Sequence, residues 1–162
     1  GPGQFFSVSG GLQRTRGLEI ELSGEPIAGL TVGAAAAWLD SEYIDKDDPN
    51  YGLMPPETTD RTLALFASYE LQEGSLQGLG FGATLVSVGE RWSIRNDENV
   101  SPDGYERVDL HGFYKGLPGV DLSLQLRNVF DATYIERNNG AFGYGNYFGS
   151  PRAVMGRLAV RF

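Results

Sequence analysis

Eight consecutive residues, Val120-Asp121-Leu122-Ser123-Leu124-Gln125-Leu126-Arg127, alternate apolar and polar without a fault. Side chains on a strand switch sides at every residue, whereas a helix returns to one face every three or four. The run is therefore a strand with one apolar and one polar face. The same period recurs along the chain. In 12–23, Leu18, Ile20 and Leu22 oppose Glu19, Glu21 and Ser23. In 30–39, Leu30, Val32, Ala34, Ala36 and Trp38 share a face, and the flanking β-formers favour strand over the helix that four alanines suggest. In 61–72, Leu63, Leu65, Ala67, Tyr69 and Leu71 oppose Thr62, Ser68 and Glu70. In 105–115, Val108, Leu110 and Tyr114 oppose Arg107, Asp109 and His111. In the final run, Val154, Leu158, Val160 and Phe162 oppose Arg157 and Arg161. Residues 79–92 are apolar on both faces, so their pattern does not orient them.

These seven strands are joined by connections of alternating length. Gly24–Gly29, Glu73–Gly78 and Gly116–Gly119 are short; Ser41–Asp60, Ile94–Gly104 and Ile135–Gly149 are long. Transmembrane barrels show this asymmetry, with short periplasmic turns and long extracellular loops, and a soluble sandwich has no reason to. An eighth strand, Gln4-Phe5-Phe6-Ser7-Val8, either precedes a Gly10-Gly11 turn or forms the top of one long bulged strand. The fold class expected is all-β, an antiparallel transmembrane meander.

Composition narrows the function classes. No apolar run approaches the ~18 residues of a membrane helix, but barrel strands average to neutral hydropathy. Without cysteine there is no disulfide, thiolate metal site or Cys nucleophile. A net charge of −8 argues against a general nucleic-acid binder. No signal peptide opens the chain, so a mature, trimmed or partial outer-membrane protein is expected.

Several segments resemble TonB-dependent siderophore receptors. Arg127-Asn128-Val129-Phe130-Asp131 with Tyr134 resembles the family's N-L-F-D-x-x-Y, with Val129 in place of the usual Leu. Gly149-Ser150-Pro151-Arg152 is similar to its G-x-P-R lead-in to the last strand, and the chain ends on Phe162. Gly11 to Glu21 is similar to G-x-x-R-S-R-G-V-E-L-E. Val88-Gly89-Glu90-Arg91-Trp92 and Tyr105-Glu106-Arg107-Val108-Asp109 match further segments in order. Phe5-Phe6-Ser7-Val8 leans toward the ferrichrome and hydroxamate branch.

The resemblance implies that residues 1–162 are the C-terminal part of a barrel of about 22 strands, with the plug domain and TonB box absent here. It implies a Gram-negative outer-membrane transporter rather than an enzyme, without a bound cofactor and with a ferric siderophore as cargo. The implied partners are TonB-ExbB-ExbD through the missing N-terminal region, the barrel assembly machinery, and outer-membrane lipid and lipopolysaccharide. The alternatives are a free-standing eight-stranded barrel with a structural or adhesion role, closing its final strand on residues 4–10 or 12–23, and a soluble β-barrel binding protein.

Candidate site residues follow. Phe142, Tyr144, Tyr147 and Phe148 crowd the last long loop and are candidates for closing over a siderophore. Leu158, Val160 and Phe162 form the expected assembly signal. Trp38, Tyr69, Tyr114 and Tyr134 are expected in the interfacial belts. Asp45, Asp47 and Asp48 lack an EF-hand register and read as a solvated acidic loop, with no metal site. His111 has no G-x-S-x-G partner and reads as a lumen residue in a polar network with Arg107 and Asp109. Arg14 and Arg16 point outward if their strand is regular, toward lipopolysaccharide phosphates, or inward if it bulges at Gly17.

Overall fold

The computed structural model describes residues 11–91, 102–138 and 146–162. Its strands are β1 (Gln13–Ile27), β2 (Leu30–Tyr43), β3 (Arg61–Glu70), β4 (Leu79–Val88), β5 (Tyr105–Leu117), β6 (Val120–Arg127), β7 (Ile135–Asn138), β8 (Asn146–Phe148) and β9 (Ala153–Val160). Seven form one antiparallel sheet in the order β1-β2-β3-β4-β5-β6-β9. This is the expected meander. The β7–β8 pair is a separate hairpin inside the last long connection, where the sequence pattern had suggested only a loop. The expected strand over residues 4–8 lies outside the described residues.

Following cross-strand partners shows how the alternation adds up. One face carries rows such as Leu22–Ala34–Leu65–Leu85 and Ala67–Ala83–Leu110–Leu126–Val154. The other carries Glu21–Ala35–Ala64–Val86–Arg107 and Ser68–Gly82–His111–Gln125–Met155. Register also orients the ambiguous segment. Leu79, Phe81, Ala83 and Leu85 join the apolar face, and Thr84 and Val86 the other. β4 ends at Val88, short of the expected 92; Gly89 N–H still donates to Arg61 O, and Arg91 N–H donates to Pro102 O.

The apolar face is not buried. Leu22, Leu124, Leu158 and Val154 are each more than half exposed. Among the described residues the only buried apolar side chains are Tyr134 and two loop prolines, Pro55 and Pro102. The accessible surface is 11579 Å², against roughly 7,900 Å² for a compact monomer of this mass. A soluble β-barrel would bury this face inside; here hydrocarbon is the environment that makes it favourable. β1 and β9 lie at opposite ends of the sheet, so closure of the final strand on residues 12–23 does not occur.

The aromatic belts fall where a membrane would put them. Trp38 sits on the apolar face at the long-loop end, and Tyr69, Phe81 and Tyr114 sit at the short-turn end. Eight residues separate Arg61, beside Trp38, from Tyr69. That is about 27 Å along a strand and roughly 21 Å after a 40° tilt, close to the ~25 Å apolar band of outer-membrane barrels.

Tyr134 departs from this scheme. It was expected in a belt, but it is buried at the root of the last loop, where its hydroxyl has an arginine partner.

Candidate functional site

The long-loop end is held by two interlocking sets of bonds. The first begins where β6 stops. Asn128 has φ 50°, a left-handed turn that asparagine tolerates better than most residues. It is almost wholly buried. Its backbone N–H donates to Asp109 Oδ1 at 2.8 Å. Its side-chain amide donates to Ala132 O at 2.9 Å and Ser150 O at 3.1 Å, and its Oδ1 accepts from Ala132 N–H at 2.9 Å. Asp131, also left-handed at φ 54°, accepts the Arg152 N–H at 2.8 Å. The N-V-F-D and S-P-R segments thus clasp the two ends of the last connection.

The second set lies on the mixed face. Tyr105 and Tyr134 stack with centroids 4.2 Å apart. Arg107 Nη1 donates to the Tyr134 hydroxyl at 3.3 Å. Arg107 Nε lies 3.2 Å from Asp109 Oδ1, close enough for charge pairing but misaligned for a hydrogen bond. Arg91 donates through both terminal nitrogens to the carbonyls of Ile135 and Glu136, and its Cζ lies 5.8 Å from the Tyr105 ring centroid. Tyr134 packs flat on Gly149, where a Cβ would fall 2.0 Å from the ring. Gly149 N–H also donates to Tyr134 O at 2.9 Å. Only glycine permits that approach.

Four segments read separately in the sequence therefore meet at one place: Gly89-Glu90-Arg91, Tyr105 to Asp109, Asn128 to Tyr134, and Gly149 to Arg152. Sequence reasoning missed Arg91, Tyr105, Arg107 and Asn128 as a cluster. Each lay within a family-like segment, but only register brings the segments together.

His111 shares the face of Arg107 and Asp109 but not their network. Its Nε2 pairs with Ser68 Oγ at 3.1 Å, and its ring stacks between Phe66 and Phe113 at 6.0 and 6.3 Å. The expected polar network is replaced by an aromatic stripe. Lys115 continues it, 4.4 Å over the Phe113 ring and 2.9 Å from Glu70.

Of the candidate ligand residues, Tyr147 and Phe148 lie on β8 and are 57% and 66% exposed, available to a ligand. Phe142 and Tyr144 lie outside the described residues. Leu158 and Val160 sit on the apolar face opposite Leu122 and Val120, and Phe162 lies fully exposed beyond the end of β9. β1 pairs regularly from Gln13 to Gly24, so no bulge occurs at Gly17. Arg14 and Arg16 therefore share the face of Leu18, above Trp38, with Arg14 paired to Glu42. Asp45 and Asp48 accept local backbone N–H groups and shape a turn. Among the described residues no cluster of three or more His, Cys, Asp or Glu is suited to a metal. A concavity of about 530 Å³ is a groove on the apolar face between Leu79, Tyr114, Leu122 and Leu158; its place on the hydrocarbon side suits lipid, not a polar cargo.

An outward apolar sheet with its long connections tied together at one end is the construction of an outer-membrane transport barrel. Residues 1–129 match the family described as TonB dependent receptor-like, beta-barrel, and the chain belongs to it. It is 30% identical over 99% of its length to the ferrichrome outer membrane transporter and phage receptor of Escherichia coli, covering 21% of that protein. It is 31% identical over 95% of its length to the ferripyoverdine receptor of Pseudomonas aeruginosa, covering 19% of it. The structure of the pyoverdine outer membrane receptor of Pseudomonas aeruginosa bound to pyoverdine superposes with a TM-score of 0.75 at 28% identity, covering 93% of this chain and 22% of that one. The chain thus spans about a fifth of the length of the relatives it matches.

Proposed function

We propose that this chain serves as the C-terminal barrel segment of an outer-membrane receptor that imports a ferric siderophore, energised through TonB. The observation that carries the reading is its likeness, over nearly its whole length, to ferrichrome and ferripyoverdine receptors. In this reading the plug domain and TonB box stand N-terminal to the segment, and contact with TonB-ExbB-ExbD belongs to them. The role is transport, not catalysis. Tyr147 and Phe148 offer aromatic surface to the chelate, with Phe142 and Tyr144 in the same connection. Leu158, Val160 and Phe162 present the edge read by the barrel assembly machinery through strand pairing. Arg14 and Arg16, on the lipid face at the extracellular rim, meet lipopolysaccharide phosphates.

The test is uptake of iron-55 ferrichrome by cells whose only siderophore receptor is the one carrying this segment. Saturable uptake that disappears when TonB is deleted is the expected outcome. Surface-exposed receptor with no TonB-dependent uptake of ferrichrome or of ferripyoverdine would overturn the reading.

A further inference from the structure

We propose that Arg91 is a positioning residue that fastens all three long extracellular connections into one body, so that a siderophore on the β7–β8 hairpin is sensed by every one of them. The inference rests on the receptor reading above and deepens it. Arg91 is 8% exposed and touches each connection in turn. Its backbone bridges to Thr59, at the end of the β2–β3 connection. Its N–H donates to Pro102 O at 3.1 Å, across the β4–β5 connection in which Arg91 itself lies. Its guanidinium holds the Ile135 and Glu136 carbonyls at the start of the hairpin.

The chemistry suits an anchor. A buried cation without an anion is costly. Among the described residues no carboxylate forms an ion pair with Arg91, and its Nε has no hydrogen-bond partner. What offsets that cost is the planar fork, which meets two neighbouring carbonyls at once while its plane lies by Tyr105. The hairpin needs such a tie. It pairs with itself at three positions and with no strand of the large sheet. Its base is held by the Asn128 and Asp131 clasp and the Tyr134–Gly149 contact, and Arg91 ties its first strand to the other connections. Lysine keeps the charge but presents a single nitrogen, so it holds one carbonyl well rather than two.

The experiment uses the full receptor carrying this segment, otherwise free of cysteine, with spin labels at Asp103→Cys and Arg137→Cys. Both positions are exposed and lie on different connections. Arg91→Gln should broaden the distance distribution between them and leave surface yield unchanged. It should also raise the half-saturating concentration for iron-55 ferrichrome by about tenfold at an unchanged maximal rate per inserted receptor. Arg91→Lys should recover part of both effects, and carries the test if the glutamine variant does not insert. An unchanged distance distribution, or a loss confined to the maximal rate, would overturn the proposal. A wild-type receptor that takes up neither ferrichrome nor ferripyoverdine would sink the siderophore assignment alone, and the distance measurement would still decide the role of Arg91.

Discussion

Asn128 concentrates in one side chain what the last connection requires. Alanine there removes three side-chain hydrogen bonds and keeps a backbone at φ 50°. Unpaired buried groups cost about 1–3 kcal/mol each, less whatever water recovers. The left-handed backbone adds about 1 kcal/mol for a residue with a Cβ. Asn128→Ala should therefore destabilise the receptor in detergent by about 3 kcal/mol, and Asn128→Gly by roughly 1 kcal/mol less, the difference isolating the backbone term. Denaturant unfolding followed by tryptophan fluorescence measures both, and an alanine variant within 0.5 kcal/mol of wild type would show that the clasp is not structural. Two glycines on β4 allow a contrast of another kind. A Cβ at Gly80 would meet the Phe113 ring first, at 2.1 Å, whereas one at Gly82 would meet the Ala67 carbonyl first, at 2.4 Å, and then His111. Phe113→Leu should thus rescue Gly80→Ala, and His111→Ala should fail to rescue Gly82→Ala, since a strand carbonyl cannot move aside. Equal rescue at both sites would refute that distinction.

At the scale of the strand, facing decides which charges are tolerated. Leu124 lies mid-strand on the apolar face and Gln125 beside it on the mixed face. An arginine near the bilayer midplane costs about 2–4 kcal/mol on the lipid side and little in the lumen. Leu124→Arg should lower stability by that amount and Gln125→Arg should be nearly neutral; the reverse order would invert the faces of the whole sheet. This facing was legible in the sequence wherever alternation was strict, as in β6. It was not legible in β4, where Gly80, Gly82 and Val86 leave the lumen side almost as apolar as the lipid side, and pairing with β3 and β5 settles it. The fate of Arg14 and Arg16 turned on a bulge that no residue type announces. Tyr134 misled because an aromatic at a strand end suits a belt and a buried network equally well. What separates the two is the glycine at position 149 that receives its ring, and that contact joins residues 15 apart.

For the molecule as a whole, the governing fact is that the sheet is open. Among the described residues β1 and β9 each leave one side of their backbone unpaired, and unpaired edges seek another strand. In the receptor proposed above, β9 is the strand that would pair with the barrel's first strand, and Phe162 lies just past its end. Deleting Phe162 removes an exposed ring but no ladder bond within Ala153–Val160. Burial of a phenylalanine is worth roughly 1.5–3 kcal/mol at most, against a closed ring of backbone bonds in a low-dielectric medium. The finished barrel should lose little stability. In the proposed assembly route, however, recognition by the assembly machinery precedes closure and reads that edge while it is still free. The deletion should therefore lower the amount of inserted receptor several-fold while leaving ferrichrome uptake per inserted molecule near normal. Surface labelling and iron-55 uptake in the same cells separate the two quantities. Normal insertion with defective uptake would mean that Phe162 acts in transport and not in assembly, and would remove Leu158 and Val160 from the proposed signal with it.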